Sequence, residues 1–405
     1  MSLRKYLDKI KPNFEEGGKF HWLYSTYDAF ETFLYVPNTT SKSGVHIHDA
    51  RDSKRTMVIV ILALIPALLM GMYNVGYQHY LALGTESGLV QNFIYGLLAT
   101  LPQIVVSYVV GLGIEFAMAQ IKKEEVAEGF LVSGMLIPMI LPVDTPLWMI
   151  AVATAFSVIF AKEVFGGTGY NIFNVALIAR AFLFFAYPTK MSGDQVWVRT
   201  QSTFGMGGGQ VVDGFSGATP LGQISVSDVS NFGDFTFQGI TGKPLELWDM
   251  FLGLIPGSFG EVSTLAILLG AILLIITGVG SWKTMVSVFI GGLVTVLILN
   301  AFAVNAIMAM PAQYHFLLGG FAFGAVFMAT DPVTSSRTEK GKWIYGFLIG
   351  ALAVLIRVFN PGYPEGMMLA ILFMNSFAPL IDFYVVDANI KKRRKRVATS
   401  TVVNE

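Results

Sequence analysis

The sequence predicts an all-α polytopic membrane protein of ten transmembrane segments, arranged as two inverted five-helix repeats that include broken or half-crossing helices. Three observations lead there. Apolar residues make up 54% of the chain and charged residues 13%, with a mean hydropathy of +0.60, whereas soluble domains carry about a quarter charged residues. A series of apolar runs is long enough to cross ~30 Å of hydrocarbon. The two halves of the chain also echo each other.

Residues 1–55 read as a cytoplasmic lead-in. They contain no apolar h-region, so no cleavable signal peptide is expected and the first true span acts as the insertion signal. The aromatic stretch 30–35 suits a helix lying against a membrane surface. The first membrane repeat, 56–187, holds apolar runs at 57–77, 93–119, 147–165 and 171–187, with a shorter run at 129–141 that Pro138 interrupts. A run of that length spans only about 20 Å as a helix at 1.5 Å per residue, so it is expected in a broken or half-crossing position. A polar segment, 188–247, follows. The second repeat, 248–383, has runs at 263–280, 285–304, 343–359 and 366–381, and a Gly-rich run at 315–330 that stops at Asp331 and Pro332. Residues 384–405 form a basic cytoplasmic tail.

The internal echo is specific in its order. Phe130, Leu131 and Gly134, followed by Asp144 at the first break, are matched by Phe316, Leu317 and Gly320, followed by Asp331 at the second. Val164, Phe165, Gly169 and Tyr170 are matched by Val358, Phe359, Gly362 and Tyr363. Five crossings per unit is an odd number, which inverts one half relative to the other. Basic residues test the orientation independently. With the amino terminus inside, the expected inner loops carry Lys122, Lys123, Lys162, Lys283, Arg337, Lys340 and Lys342, and the tail carries Lys391 to Arg396. Outside, Lys190, Arg199 and Lys243 fall only in the long segment. Both termini are therefore expected in the cytoplasm and Thr219 on the periplasmic face. The basic tail is a topology signal, and no nucleic-acid partner is expected. The chain has no cysteine, which excludes thiolate-ligated iron–sulfur clusters, disulfides and structural zinc within this polypeptide. Any cluster belongs to a partner.

Residues 213–219 read Asp-Gly-Phe-Ser-Gly-Ala-Thr in the polar segment. Gly217 and Ala218 leave the backbone bare for a modifying enzyme, and the Thr219 hydroxyl is presented as a nucleophile; the plain alternative is a small-residue turn. The heptapeptide resembles the Asp-x-x-Ser-Gly-Ala-Thr signature of proteins that receive FMN in phosphoester linkage from a dedicated flavin transferase. Two more stretches are distinctive: Lys-Glu-Val-Phe-Gly-Gly-Thr-Gly-Tyr at 162–170, and Gly-Tyr-Pro-Glu-Gly-Met-Met-Leu at 362–369. With these the chain resembles, over nearly its whole length, the B subunits of bacterial sodium-translocating NADH:quinone oxidoreductases.

The resemblance implies covalent FMN on Thr219, with Asp213, Ser216, Gly217 and Ala218 as its recognition context. It implies an inner-membrane complex with five partner subunits, A, C, D, E and F. Electrons would enter from NADH at the F subunit, which carries FAD and an iron–sulfur cluster, and reach an FMN on the C subunit. They would then pass to the FMN here and through riboflavin to ubiquinone or another quinone while Na+ moves outward. A nearer alternative is the flavinylated subunit of the related ferredoxin:NAD oxidoreductase complex. A farther one is a permease of the urea- or ammonium-channel sort, which shares inverted halves and broken helices but has no use for a flavinylated threonine. The Gly-rich run 205–209 follows no strand and opens no amphipathic helix, so it is expected as a flexible linker and NADH binding by this chain is not expected.

Several residues within the membrane segments are candidates for binding. Asn171 and Asn174 place two amides three residues apart at the start of a span, where one helix face can hydrogen-bond a flat heterocycle; helix capping is the alternative, and the resemblance assigns them to riboflavin. Glu115 follows Gly111 and Gly113, which would let a ring approach the backbone, and this suits a quinone site. An interfacial carboxylate with its head in water is the alternative. Arg180, mid-span, calls for a carboxylate or cofactor partner, and Arg357 is expected to pair with Glu365. For Na+, Asp331 and Asp382 at the inner ends of their segments and Asp144 at the outer break supply hard oxygen ligands. Phe323 and Phe327, four apart, are expected to form a hydrophobic gate, with ordinary packing as the alternative.

Overall fold

The computed structural model describes residues 3–15, 17–35, 41, 43–45, 53–122, 124, 126 and 129–403. Lys123, one of the basic residues expected on the inner face, lies outside them. Among the described residues the β features are two isolated bridges, Thr203 with Met206 and Gln238 with Pro244; the rest is helix and loop.

Two short helices open the chain, α1 (Leu3–Ile10) and α2 (Tyr24–Leu34). They are tied by the Tyr27 hydroxyl, which donates to the Leu7 carbonyl at 2.9 Å, and by Arg4 and Lys11, which both reach Glu31. The first half continues with α3 (Ser53–Ala82), α4 (Leu89–Lys122), α5 (Phe130–Met139), α6 (Leu147–Ser157) and α7 (Val175–Ala186). A π turn, Val158–Lys162, and a 3-10 turn, Glu163–Phe165, prolong α6. The connecting segment carries α8 (Pro188–Met191), α9 (Pro220–Ser225) and α10 (Leu247–Leu252). The second half has α11 (Thr264–Ile276), α12 (Trp282–Ala301), α13 (Ala306–Ala309), α14 (Ala312–Leu317), α15 (Phe321–Phe323) running into a π turn, Gly324–Met328, then α16 (Glu339–Phe359) and α17 (Met367–Val403). Phe30 of α2 meets the Phe116 ring of α4, so the lead-in docks on the carboxyl end of α4.

Among the described residues, six helices are long and apolar enough to cross a membrane: α3, α4, α6 with its extension, α12, α16 and α17. The helices α5, α7 and α11 are shorter and apolar. Capping explains two of the differences from expectation. The run from residue 171 yields a helix that starts only at Val175, because Asn174 accepts hydrogen bonds from the amides of Ala176 and Leu177. The run from residue 263 starts at Thr264, capped by Ser263. Side-chain caps set helix ends that a hydropathy count does not see. At the other extreme, α17 passes through the expected boundary at 383–384 into the Lys- and Arg-rich residues, which favour helix, so the tail continues the helix.

The long helices cross where glycine removes a side chain. A Cβ on Gly96 of α4 would overlap the Met72 carbonyl oxygen of α3, and one on Gly76 of α3 would overlap that of Asn92. In the second half, Gly291 of α12 and Gly350 of α16 abut the backbones of Phe347 and Val288 in the same way. Without a hydrophobic force to join helices in lipid, such backbone approach supplies the packing.

Two apolar segments are interrupted, one at the end of α5 and one between α14 and α15, and the freed backbone groups are met from elsewhere. The irregular stretch 255–263, before α11, runs over the end of α5. There the Gly260 amide donates to the Met139 carbonyl at 2.9 Å, the Ser258 hydroxyl donates to the Ile140 carbonyl at 3.2 Å, and the Asn74 amide of α3 donates to the Ile255 carbonyl at 2.9 Å. At the break between α14 and α15, Gly319 and Gly320 take positive φ of 63° and 67°. The buried Arg357 guanidinium donates to the carbonyls of His315 (2.6 Å), Leu318 (3.0 Å) and Glu365 (3.2 Å). The expected pairing of Arg357 with Glu365 is therefore corrected: it runs through the carbonyl, because broken helices have carbonyls in need of donors.

Gly350→Val is expected to lower stability by about 1–3 kcal/mol through overpacking, read as a fall in the thermal midpoint of the detergent-solubilised protein. Gly113→Ala, where an added Cβ would meet no other part of the chain within 4 Å, is expected to leave that midpoint unchanged or slightly raised.

Candidate functional site

Three cavities collect the candidate residues. The first lies beside Thr219, which is half-buried and caps α9: its Oγ accepts from the Gly222 amide at 3.1 Å. Gln223 steadies this turn, donating to the Ala218 and Gln238 carbonyls at 3.1 and 2.8 Å. Asp213 and Ser216 are not buried. Gly217 is not bare for gripping, as expected from sequence, but buried, and a Cβ there would overlap the Asp194 carbonyl oxygen. Its small size serves close packing. Thr219, Ser258, Glu261, Gly319, Gly320 and Glu365 line the cavity. Glu261 takes a 2.8 Å ion pair from Arg180 of α7, both side chains almost fully buried, which meets the expectation that Arg180 finds a carboxylate. The same carboxylate abuts Gly320, where a Cβ would lie 2.8 Å from the carboxyl carbon.

The loop above this region is ordered by a residue pair that sequence reasoning passed over. His79 of α3 stacks on Tyr95 of α4 with centroids 3.8 Å apart. His79 Nδ1 lies 2.7 Å from the Arg199 carbonyl and Nε2 accepts from the Gly208 amide at 3.4 Å, which assigns the neutral tautomer with its proton on Nδ1. The Tyr95 hydroxyl donates to the Gln201 carbonyl. The Gly-rich run 205–209 is thus a turn seated on two rings rather than a free linker. A histidine just past one apolar run and a tyrosine inside the next were the signal available for finding this anchor. Asp144 sits nearby, 3.8 Å from Arg199; burial pushes its carboxyl above the usual range, with Arg199 pulling the other way.

The second cavity, the larger of these first two, brings Asn171, Asn174, Phe327 and Asp331 together with Ser133 and Lys162. Asn174 both caps α7 and donates to Asp331 at 3.1 Å. Asp331 also accepts from the Thr334 hydroxyl at 2.9 Å and the Val333 amide at 3.0 Å. Asn171 precedes the helix and donates to the Phe173 carbonyl at 3.1 Å. The two amides therefore share a cavity but not a helix face, a correction that follows from the late start of α7. Phe323 and Phe327 are in contact, centroids 5.1 Å apart, and Phe327 lies at the crossing of α3 and α11, where Gly270 makes room for its ring.

The third cavity is lined by Glu115, Lys122, Lys162, Glu163 and the glycines that follow. Glu115 and Lys162 form an ion pair with both side chains buried, and Lys122 pairs with Glu163 at 2.9 Å. The alternative for Glu115, a carboxylate with its head in water, does not hold, since its side chain is buried. One expectation changes: Lys162 is not a loop residue, because the π turn at the end of α6 carries it inside. The ring that approaches Gly111 is that of Phe130. Asp382 stands apart, accepting from the hydroxyls of Ser336 and Thr338 (both 2.6 Å) and from the amides of Arg337 and Thr338 (2.7 and 3.0 Å), so it ties α17 to the start of α16. Asp144, Asp331 and Asp382 do not converge on one point, and no group of three or more metal-ligating side chains occurs among the described residues.

A model of the NQR2, RnfD, RnfE family matches residues 40–391. The B subunit of a Na(+)-translocating NADH-quinone reductase from Ectopseudomonas mendocina is 46% identical over 421 residues, covering 98% of this chain and all of the relative. Its namesakes from Pseudoalteromonas atlantica and Klebsiella pneumoniae are 44% and 43% identical over the same shares.

Arg180→Leu strands the Glu261 carboxylate and is expected to cost about 3–5 kcal/mol, seen in the unfolding of the purified chain. The double variant Arg180→Leu/Glu261→Leu is expected to recover most of that loss.

Proposed function

The chain belongs to the NQR2, RnfD, RnfE family, and from that premise we propose that it is the subunit of a sodium-translocating NADH–quinone reductase that relays electrons between a covalent FMN at Thr219 and quinone. It works as one subunit of an oxidoreductase complex, and no side chain here has to break a bond in NADH. The family also takes in the flavin-bearing subunits of the ferredoxin-linked complex; end-to-end identity with quinone reductase subunits favours the quinone enzyme.

The observation that carries the proposal is Thr219 itself: the last residue of the flavinylation heptapeptide stands at the rim of a cavity. Its Oγ accepts a hydrogen bond through a lone pair, which a phosphoester oxygen retains. Gly319 and Gly320, where a Cβ would meet Leu221 and Glu261, keep the cavity floor open beside it. Riboflavin fits the larger cavity by the chemistry of its walls. The amides of Asn171 and Asn174 and the Asp331 carboxylate converge on a space walled by Val60, Leu136 and Phe327, apolar surroundings with a few polar groups that fix orientation. FMN and riboflavin supply the capacity to take up and release single electrons; the chain supplies position, charge and exclusion of water.

In this reading Glu115 and Gly111 border the quinone site, and quinone approaches from the Glu115 cavity. Asp331, Asp382 and Asp144 provide oxygen for Na+ along its path, and the Phe323–Phe327 pair closes that path against hydrated ions. The halves are inverted five-segment repeats in a bacterial inner membrane. Thr219 faces the periplasm and both termini face the cytoplasm, as the basic residues favour. Five further subunits, A, C, D, E and F, complete the complex, with FMN on the C subunit and the FAD and iron–sulfur cluster on the F subunit.

The deciding test is the intact mass of the denatured chain from cells that also produce the flavin transferase. An increment of one FMN, lost in Thr219→Ala, is the expected result; an unmodified parent chain would sink the redox reading. Glu115→Ala in the assembled complex is expected to slow quinone reduction at least roughly tenfold while flavin reduction by NADH stays fast, and unchanged quinone kinetics would remove Glu115 from the site.

A further inference from the structure

The proposed function gives no role to Lys162, yet three observations meet at this residue. It pairs with Glu115 of α4 in a buried ion pair, and it lines both the larger cavity and the Glu115 cavity. It closes the π turn Val158–Lys162, while Phe327 lies in the π turn Gly324–Met328. Each π turn thus gives a side chain to the wall of the larger cavity. Such turns are rare and concentrate at functional sites. Burial of such a pair is weak evidence of a stabilising role, because replacing a buried ion pair by apolar residues of similar volume is often neutral or stabilising.

We propose that Lys162 is a charge shared between the two cavities: its ammonium neutralises Glu115 and also offsets the negative charge that an electron brings to a flavin in the larger cavity. This rests on the reading that riboflavin binds there. The step moves one electron, drawn from NADH by way of the FMN, and neither makes nor breaks a bond. The ammonium keeps its proton. In a site shielded from water, its attraction to added charge is stronger than it would be in solution. As Lys162 turns toward the ring, the Glu115 carboxylate loses part of its neutralisation and favours a replacement cation from its own cavity. Electron arrival on one side is thereby tied to cation uptake on the other through a single side chain.

The test is a spectroscopic redox titration of the non-covalent flavin in the assembled, purified complex. Lys162→Met is expected to lower its midpoint potential and Glu115→Gln to raise it. The double variant Glu115→Gln/Lys162→Met is expected to fall between them, and Lys162→Arg to stay near the parent. The covalent FMN serves as internal reference and is expected not to move. If Lys162→Met fails to assemble, the rise in Glu115→Gln and its reversal in the double variant decide. Unchanged potentials, or shifts of the same sign, overturn the proposal. Ser133→Trp, which fills the larger cavity, separates the two readings. Full flavin content in that variant places riboflavin elsewhere, whereas flavin lost there together with unmoved potentials in the charge variants overturns the charge sharing alone.

Discussion

Every helix that stops inside a membrane leaves amides and carbonyls that lipid cannot satisfy, and the architecture of this chain follows from how two such stops are met. At the end of α5 the partners are the amide of Gly260 and the hydroxyl of Ser258. Between α14 and α15 the partner is the guanidinium of Arg357, whose donors serve carbonyls at the break. Guanidinium suits this task because it is a planar fork of donors that keeps its charge when buried. The breaks in turn create the cavities: Gly319 and Gly320 floor the one beside Thr219, and Phe327, just beyond the second break, walls the larger one.

Buried charge is handled in three ways, each with a different consequence. Arg357 is spread over neutral carbonyls and acts as a structural clamp. Arg180 and Glu261 neutralise each other at 2.8 Å between α7 and the stretch before α11, so the two halves share one pair. Lys162 and Glu115 join α6 to α4 within the first half, at a place open to two cavities. Only the last combines burial with access to a binding space on either side. Half-buried Asp331 stands outside these three, a carboxylate held by neutral donors, Asn174, Thr334 and the Val333 amide.

The class of fold was legible because hydropathy depends on residue type alone: the apolar runs and the two interrupted segments stand where the composition puts them. Helix ends were less legible, since the caps at Asn174 and Ser263 are decided by one side chain turning back on the backbone. The partner of Arg180 was foreseen as a carboxylate but not as Glu261, which is 81 residues away and met only through tertiary packing. Lys162 was misplaced for a definite reason. A charge near the end of the 147–165 run suggests an inner loop, and nothing in residue order reports the extra residue of a π turn that rotates the side chain inward. Around Thr219, the accessibility of Asp213 and Ser216 suits a polar loop, but the burial of Gly217 against Asp194 depends on a contact between separated parts of that loop.

The stretch 255–263 bears on biosynthesis. It covers the end of α5, and Phe259 packs on α3 where a Cβ at Gly71 would overlap its carbonyl, so α3 and α5 lack a native partner until the ribosome has made the stretch before α11. A nascent chain paused in the long connecting loop holds its α5 carbonyls unmet. A gene split within the loop would yield two fragments, neither of which closes its own interior.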